Sequence, residues 1–201
     1  MSTENSATLS PDEKKKIESE LQDIDKQLEV IRKKRIELNS KLASMEVKDY
    51  TLKDRDGNDR KLSEMFGDKK ELILVHNMGK GCSYCTMWAD GFKDTYKEIE
   101  KKAAFVLVSP DMPDVHKEFA EAHGWNYKTY SANGTDFIFD MGYDFIKEGK
   151  HNYWPGVSVF QKDENGNIKR VAKDFFGPGD FYCNIWHFLD LLPSQNITME
   201  S

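Results

Sequence analysis

Two cysteines three positions apart, Cys82 and Cys85, are the residues of this chain best suited to chemistry. They follow an apolar run at residues 72–77, which predicts a buried strand, and they open a segment that predicts a helix. The free N–H groups at a helix start stabilise a thiolate, and Lys80 adds positive charge nearby. The spacing and its context therefore predict a redox-active dithiol, in which Cys82 attacks a disulfide and Cys85 resolves the mixed disulfide.

The same thiols could instead bind a metal ion. Structural zinc usually requires a second C-x-x-C or a close histidine pair, and the sequence has neither. The third cysteine, Cys183, follows a Gly-Pro-Gly turn and lies three residues after Asp180, which is a good N-cap. Cys183 is most simply a small buried residue, but it or a histidine could be a third ligand. A copper or zinc protein using Cys82, Cys85 and Cys183 or a histidine is the alternative.

The elements that must position the dithiol follow one another in a recognisable order. A hairpin begins at Tyr50, and the last helix ends at Pro193. The stretch from 125 to 153 is rich in aromatic residues and glycine and can be placed only loosely. Between these limits, the strands are predicted at 72–77, 103–109, 156–160 and 168–172, and the helices at 82–101 and 113–124. The order is strand–helix–strand–helix, followed by an antiparallel pair of strands and a helix. This order predicts an α/β fold, with a mixed sheet and helices on both faces.

A long amphipathic helix precedes this domain. Residues 1–9 are expected to be a disordered tail, and Ser10, Pro11 and Glu13 form a capping box at the start of the helix. The helix should end near Leu42 or Met45, which divides the chain into residues 1–46 and a domain at 47–201. Steps of four and three separate its apolar residues, as in a coiled-coil seam, with Arg35 at the one polar position. The seam consists of Ile17, Leu21, Ile24, Leu28, Ile31, Leu38 and Leu42.

Charges beside this seam change sign along the helix. Acidic residues dominate its first half and basic residues its second half, so that antiparallel pairing would match opposite charges. The sequence therefore predicts a homodimer formed through this helix. The flanking charges are Glu18, Glu20, Asp25, Arg32, Lys34 and Lys41.

Composition narrows the possible functions further. The 201 residues carry a net charge of −6, which argues against nucleic acid as the main partner. There is no run of eighteen apolar residues, and the first residues lack the basic and apolar regions of a signal peptide. These features predict a cytoplasmic protein without a membrane partner, and three cysteines fit a redox role in that compartment better than a disulfide framework.

Several motifs follow one another along roughly residues 46–193. They are His76, Cys82-x-x-Cys85-x-x-Trp88-Ala89-Asp90-Gly91-Phe92, Val108-Ser109-Pro110, Gly124-Trp125, Pro155-Gly156-Val157-Ser158-Val159-Phe160, and Phe176-Gly177-Pro178-Gly179-Asp180 leading to Cys183 and Trp186. In this order they resemble a bacterial thioredoxin-like family long catalogued as a domain of unknown function, related to the TlpA and peroxiredoxin branch.

This resemblance implies a thioredoxin fold and a redox role. A cis proline lies opposite the dithiol in such folds, and chain order gives Pro155 that place, in van der Waals contact with Cys82. His76 ends the strand that delivers the dithiol, where it could move a proton for Cys85 or be a buried, hydrogen-bonded histidine. The Pro-x-x-x-Thr-x-x-Cys motif of typical peroxidases is absent, and Ser83-Tyr84 replaces the Gly-Pro of thioredoxins, so the redox potential cannot be transferred.

We therefore expect a thiol–disulfide oxidoreductase that acts on a protein or small-molecule disulfide and needs no cofactor. A third possibility is an interaction module, in which the long helix is the active part and the dithiol is vestigial.

Overall fold

A computed structural model of the protein describes residues 9–193. The predicted disordered tail lies outside these residues except for Leu9. The helices are α1 (Pro11–Ala43), α2 (Leu62–Met65), α3 (Ser83–Glu100), α4 (Pro113–Ala122), α5 (Phe137–Asp140) and α6 (Ile185–Leu189). The strands are β1 (Met45–Val47), β2 (Thr51–Lys53), β3 (Asp59–Lys61), β4 (Glu71–His76), β5 (Ala104–Ser109), β6 (Lys128–Ser131), β7 (Asp144–Lys147), β8 (Lys150–Tyr153), β9 (Gly156–Lys162) and β10 (Ile168–Phe175).

Eight of these strands form one mixed sheet in the order β1-β10-β9-β4-β5-β6-β2-β3. Strands β4, β5 and β6 are parallel, and the helices α3 and α4 connect them, which is the connection that parallel neighbours require. The other pairs in the sheet are antiparallel. The predicted α/β fold with a mixed sheet is confirmed, together with the long N-terminal helix.

Helices cover both faces of this sheet, because successive side chains of a strand point to opposite faces. On one face, Leu72 and Leu74 belong to a cluster that includes residues of α2 and α5, which we call the first core. On the other face, Ile73 and Val75 pack with residues of α3 and α4 in the second core, which contains Cys85. The two cores sandwich the sheet.

The long helix α1 begins with the predicted capping box, in which Ser10 and Glu13 each accept from the other's backbone N–H. Near its C-terminus, one side of the helix faces the domain, and Ala43 is fully buried there. Leu38 and Leu42 point elsewhere and remain 52% and 75% exposed. The apolar seam residues Leu38 and Leu42 therefore lie on a different side of α1 from Ala43. None of the described helices is both long and apolar enough to cross a membrane.

The stretch from 125 to 153 contains elements that the sequence did not reveal. Strand β6 extends the parallel part of the sheet beside β5. Strands β7 and β8 then form a separate two-stranded hairpin, which leads directly into Pro155 and β9. The chain thus returns to the carboxyl end of β4 from a hairpin outside the main sheet.

Candidate redox site

The dithiol lies at the predicted place, between the carboxyl end of β4 and the first turn of α3. Cys82 is the N-cap residue of α3, and a disulfide joins it to Cys85. Their Cα atoms are 5.2 Å apart, within the usual range for a disulfide. The backbone N–H of Cys85 donates to Cys82 Sγ over 3.1 Å. The sulfur of Cys82 thus takes the capping role that a serine or aspartate oxygen usually plays.

Hydrogen bonds fix the loop that delivers Cys82. Asn77 Oδ1 accepts from the N–H of Gly79 at 2.7 Å, and Asp111 Oδ2 accepts from the N–H of Lys80 at 2.8 Å. Gly79 has a φ of +100°, and a Cβ there would lie only 2.7 Å from Asp111 Oδ1. Only glycine fits this position, because the turn needs positive φ and the carboxylate of Asp111 lies against it.

The two sulfurs differ in their surroundings. Cys85 is 2% exposed and packs in the second core, where Trp88, Phe176 and Trp186 are also buried. Cys82 is only partly buried. A reagent from solvent therefore reaches Cys82 more easily than Cys85, which agrees with the predicted roles of attacking and resolving thiol.

His76 lies at the end of β4 as expected, but on the other face of the sheet from Cys85. Its ring stacks on Tyr143, with centroids 3.8 Å apart, and on Phe137 of the first core. Its Nε2 lies 2.9 Å from Ser158 Oγ. This placement does not support the predicted proton transfer to Cys85. The position of His76 at the end of β4 was predictable from the sequence. The face of the sheet on which it lies depends on the alternation of side chains along the strand.

The environment of His76 favours its neutral form. Burial lowers the pKa of His76 well below its ordinary value, and the positive charges of Arg170 and Lys173 lower it further. A neutral, stacked imidazole suits a role in the packing of the first core.

The prediction of a cis proline is wrong: the Trp154–Pro155 bond is trans, as are all peptide bonds in the part of the chain that the structure describes. The N–H of Trp154 donates to Tyr143 O at 2.8 Å, and Pro155 O accepts from Phe176 N at 2.9 Å. These bonds tie the segment between the β7–β8 hairpin and β9 to residues next to β7 and β10. The predicted contact between Pro155 and Cys82 stays a prediction.

The carboxylates of Asp90 and Asp180 have structural partners. Asp90 accepts from Trp125 Nε1 at 2.9 Å and lies 3.2 Å from His123 Nδ1, so it joins α3 to the end of α4. Asp180 accepts from the N–H groups of Tyr182 and Cys183. The last helix begins at Ile185 with Asn184 as its N-cap, so Asp180 does not cap it, and Cys183 lies just before the helix.

The metal alternative lacks a ligand set. Across residues 9–193, no three histidine, cysteine, aspartate or glutamate side chains are grouped so that they could hold a metal ion. Cys82 and Cys85 therefore have neither Cys183 nor a histidine as a third ligand in this arrangement.

Comparison with protein families gives one match, which spans residues 6–196: "Bacterial protein of unknown function (DUF899)". The chain belongs to this family. The resemblance inferred from its motifs is thereby confirmed. No curated protein matches this DUF899 member.

Several peroxiredoxins are among the solved structures similar to this DUF899 protein. Peroxidoxin BcpB from Mycobacterium tuberculosis shares 25% identity and a TM-score of 0.54, over 66% of this chain and 84% of that chain. A PrxQ mutant from Xylella fastidiosa gives 13% identity and a TM-score of 0.55, over 70% and 87% of the two chains. Reduced Prx3 from Vibrio vulnificus gives 16% identity and a TM-score of 0.55, over 69% of this chain and 87% of that chain. The chain therefore has a thioredoxin/peroxiredoxin-like fold, with a Cys82–Cys85 pair at the start of α3.

Proposed function

We propose that this protein is a thiol–disulfide oxidoreductase whose attacking thiol is Cys82. The observation that carries the proposal is the hydrogen bond from the N–H of Cys85 to Cys82 Sγ at the N-cap of α3. The N-terminus of an 18-residue helix also places partial positive charge beside this sulfur. Both effects favour the thiolate of reduced Cys82, which is the nucleophilic form.

The exchange then proceeds in two displacements. The Cys82 thiolate attacks one sulfur of a substrate disulfide, forms a mixed disulfide and expels the first substrate thiolate. Cys85 loses its proton and attacks Cys82 Sγ, which expels the second substrate thiolate and leaves the Cys82–Cys85 disulfide. Two protons pass to the released thiolates, so one substrate disulfide is reduced and one protein dithiol is oxidised. This second step is favoured because the Cα atoms of Cys82 and Cys85 are only 5.2 Å apart, across the first turn of α3.

The structural similarity to peroxiredoxins supports a reaction that uses a thiol, but it does not identify the oxidant. BcpB, at 25% identity, is named a peroxidoxin. In this chain the second cysteine lies only three positions after the first and is buried, which suits rapid closure of a disulfide. We therefore favour disulfides, of a protein or a small molecule, as the substrates.

A mixed-disulfide trap tests this function. The Cys85→Ser protein, reduced and then exposed to 2-hydroxyethyl disulfide, should gain one mercaptoethanol adduct on Cys82, because the resolving thiol is missing. Wild-type protein should instead recover an intact Cys82–Cys85 disulfide without an adduct. The Cys183→Ser protein is the matched control and should behave as wild type. Peptide mass spectrometry that finds the adduct on Cys183, or none on Cys82, would contradict the proposal.

We also propose that α1 pairs with α1 of a second copy in antiparallel orientation. The seam residues Ile17, Leu21, Ile24 and Leu28 are 41–56% exposed, and the contacts of Arg35 and Ala43 with the domain lie further along the helix. The charge reversal along the helix supports the antiparallel arrangement. A dimer of this kind would leave each dithiol on its own domain.

A further inference from the structure

A tight turn at residues 79–82 delivers Cys82 to the start of α3. The N–H of Cys82 donates to Gly79 O at 3.1 Å and closes this turn. Cys82 has extended backbone, with φ −103° and ψ 102°, which is the conformation of an N-cap residue. In this conformation its sulfur accepts from the N–H of Cys85 at 3.1 Å. The hydrogen bond that favours the Cys82 thiolate therefore depends on the geometry of the turn.

Asp111, from the loop between β5 and α4, holds this turn from outside. Its Oδ2 accepts from the N–H of Lys80 at 2.8 Å. Its Oδ1 would lie 2.7 Å from a Cβ on Gly79, so the carboxylate lies directly against that glycine. Within residues 9–193, the other side chains that hydrogen-bond to the turn all belong to residues 77–86. Asp111 is thus the side chain that attaches the turn to a neighbouring strand's loop.

Buried hydroxyl groups hold Asp111 itself in place. Ser109 Oγ donates to Asp111 Oδ2 at 3.3 Å and accepts from the N–H of Asp111 at 3.2 Å. Ser131 Oγ donates to the backbone oxygen of Asp111. The two serines end β5 and β6 and are each 1% exposed. The carboxylate is therefore fixed relative to the sheet, and it fixes the turn in the same frame.

The charge of Asp111 and its hydrogen bond should act on Cys82 in opposite directions. A negative charge near a thiol disfavours the thiolate, so a carboxylate that acted only through its charge would make Cys82 less reactive. A carboxylate that holds the turn would instead preserve the N–H donor of Cys85 and make Cys82 more reactive. The sign of the effect of removing Asp111 therefore distinguishes the two roles.

We propose that Asp111 is a positioning residue for Cys82. It holds the turn at residues 79–82 so that, after the disulfide is reduced, Cys82 Sγ stays at the N-cap of α3 with the N–H of Cys85 as its donor. Asp111 acts through the backbone of Gly79 and Lys80 and takes no part in the two displacements. The consequence for catalysis rests on the proposed redox function, whereas the effect on the ionisation of Cys82 does not.

Iodoacetamide labelling of Cys82 in the reduced full-length protein, followed against pH by peptide mass spectrometry, tests this role. Asp111→Ala should raise the midpoint of Cys82 by about one pH unit, because a hydrogen bond to a charged group is worth roughly that much. Asp111→Asn keeps an oxygen acceptor without the charge, so its midpoint should lie at or below that of wild type. An Asp111→Ala midpoint equal to or below the wild-type value would overturn the proposal.

Gly79→Ala disturbs the same contact while the charge of Asp111 remains, and it keeps the test open if Asp111→Ala does not fold. It should also raise the midpoint of Cys82. Gly81→Ala is the matched control in the same turn, because Gly81 has open space around it and no positive φ. It should leave the midpoint unchanged, and a Gly79→Ala midpoint that is also unchanged would contradict the proposal.

Asp163→Ala controls for a general loss of stability. Like Asp111, Asp163 accepts from backbone N–H groups of a turn, but that turn lies between β9 and β10, beside the start of β4. Asp163→Ala should lower the melting temperature without moving the midpoint of Cys82. A midpoint raised as much as in Asp111→Ala would show that loosening anywhere in the fold has the same effect, and the positioning role would be wrong.

The reduction of 2-hydroxyethyl disulfide separates this proposal from the redox function. At a pH below both midpoints, Asp111→Ala should react about threefold more slowly than wild type. Its thiolate fraction falls about tenfold, and the greater nucleophilicity of a more basic thiolate offsets part of that loss. Asp111→Asn should restore the rate. If wild type does not reduce the disulfide but Asp111→Ala still raises the midpoint of Cys82, the redox function fails and the positioning role stands.

Discussion

Arg35 and Asp174 form a two-pronged ion pair between α1 and β10. Arg35 Nη2 lies 2.6 Å from Asp174 Oδ1, and Nη1 pairs with Oδ2. The Asp174 side chain is 10% exposed and also accepts from Tyr182 OH at 2.8 Å. Arg35 is the residue that interrupts the apolar seam of α1, so the interruption marks where the helix attaches to its own domain.

Arg35→Met should destabilise the protein, because it leaves the carboxylate of Asp174 largely buried with Tyr182 as its remaining side-chain donor. Loss of one partner of a buried pair costs ~3–5 kcal/mol, and the partial exposure of Arg35 reduces this to about 2 kcal/mol. Urea unfolding measures the change. Lys33→Met removes an exposed ion pair with Glu29 on the same helix and should have no measurable effect. Equal stabilities of the two variants would refute this account of Arg35.

Gly156 and Gly91 should respond in opposite ways to substitution by alanine. A Cβ on Gly156 would lie 2.3 Å from Asp174 O and 2.5 Å from the Tyr143 ring, so Gly156→Ala should cost roughly 1–3 kcal/mol or more. Gly91 is exposed in the middle of α3 with open space around it, so Gly91→Ala should stabilise by ~0.5–1 kcal/mol. Thermal unfolding of both variants checks the direction of each stability change. A Gly156→Ala protein as stable as wild type would show that Gly156 packs less closely against Asp174 and Tyr143 than described.

The stability of the fold should fall below pH 6.5 because two histidines are buried in neutral form. Burial lowers the pKa of His116 to about 4, and that of His76 also lies well below 6.5. The unfolded chain binds protons at these sites first, so the free energy of unfolding is highest above pH 6.5 and declines as pH falls towards 4. Each histidine contributes a slope of up to ~1.4 kcal/mol per pH unit.

Urea unfolding between pH 7 and pH 5 measures this slope. His116→Gln should reduce it, and the exposed control His187→Gln should leave it unchanged. A slope that His116→Gln does not alter would mean that another group governs the pH dependence.

The protein should be a dimer by light scattering at physiological salt. Leu21→Lys combined with Leu28→Lys should yield a monomer without lowering the melting temperature of the domain, because both residues lie on the exposed seam. Val30→Lys, equally exposed but off the seam, is the control and should remain dimeric. A monomeric wild-type protein would end this proposal, and efficient cross-linking between single cysteines at position 17 of both chains, in a background without native cysteines, would indicate a parallel pair instead.

Much of the fold could be predicted from local pattern. The capping box at Ser10, the apolar runs of β4 and β5, and the dithiol between strand and helix each depend on neighbouring residues. The short strands β6, β7 and β8 could not, because their polar and aromatic residues have no clear alternation. The pairing of β6 with β5 also spans the intervening helix α4.

Within the site, sequence identified the thiols but not the roles around them. His76 lies nine positions before Cys85 in the chain but on the opposite face of the sheet, which depends on which core each face of β4 packs against.

The pH dependence of iodoacetamide labelling, mapped by peptide mass spectrometry on the reduced protein, tests the central claim most directly. Cys82 should label first, with a midpoint below the value of a free thiol, ~8.5, because the N–H groups at the start of α3 stabilise its thiolate. Cys85, which is buried beneath it, should label more slowly, and Cys183→Ser should leave the profile of Cys82 unchanged. A Cys82 midpoint at or above that of a free thiol, or faster labelling of Cys183, would contradict the mechanism.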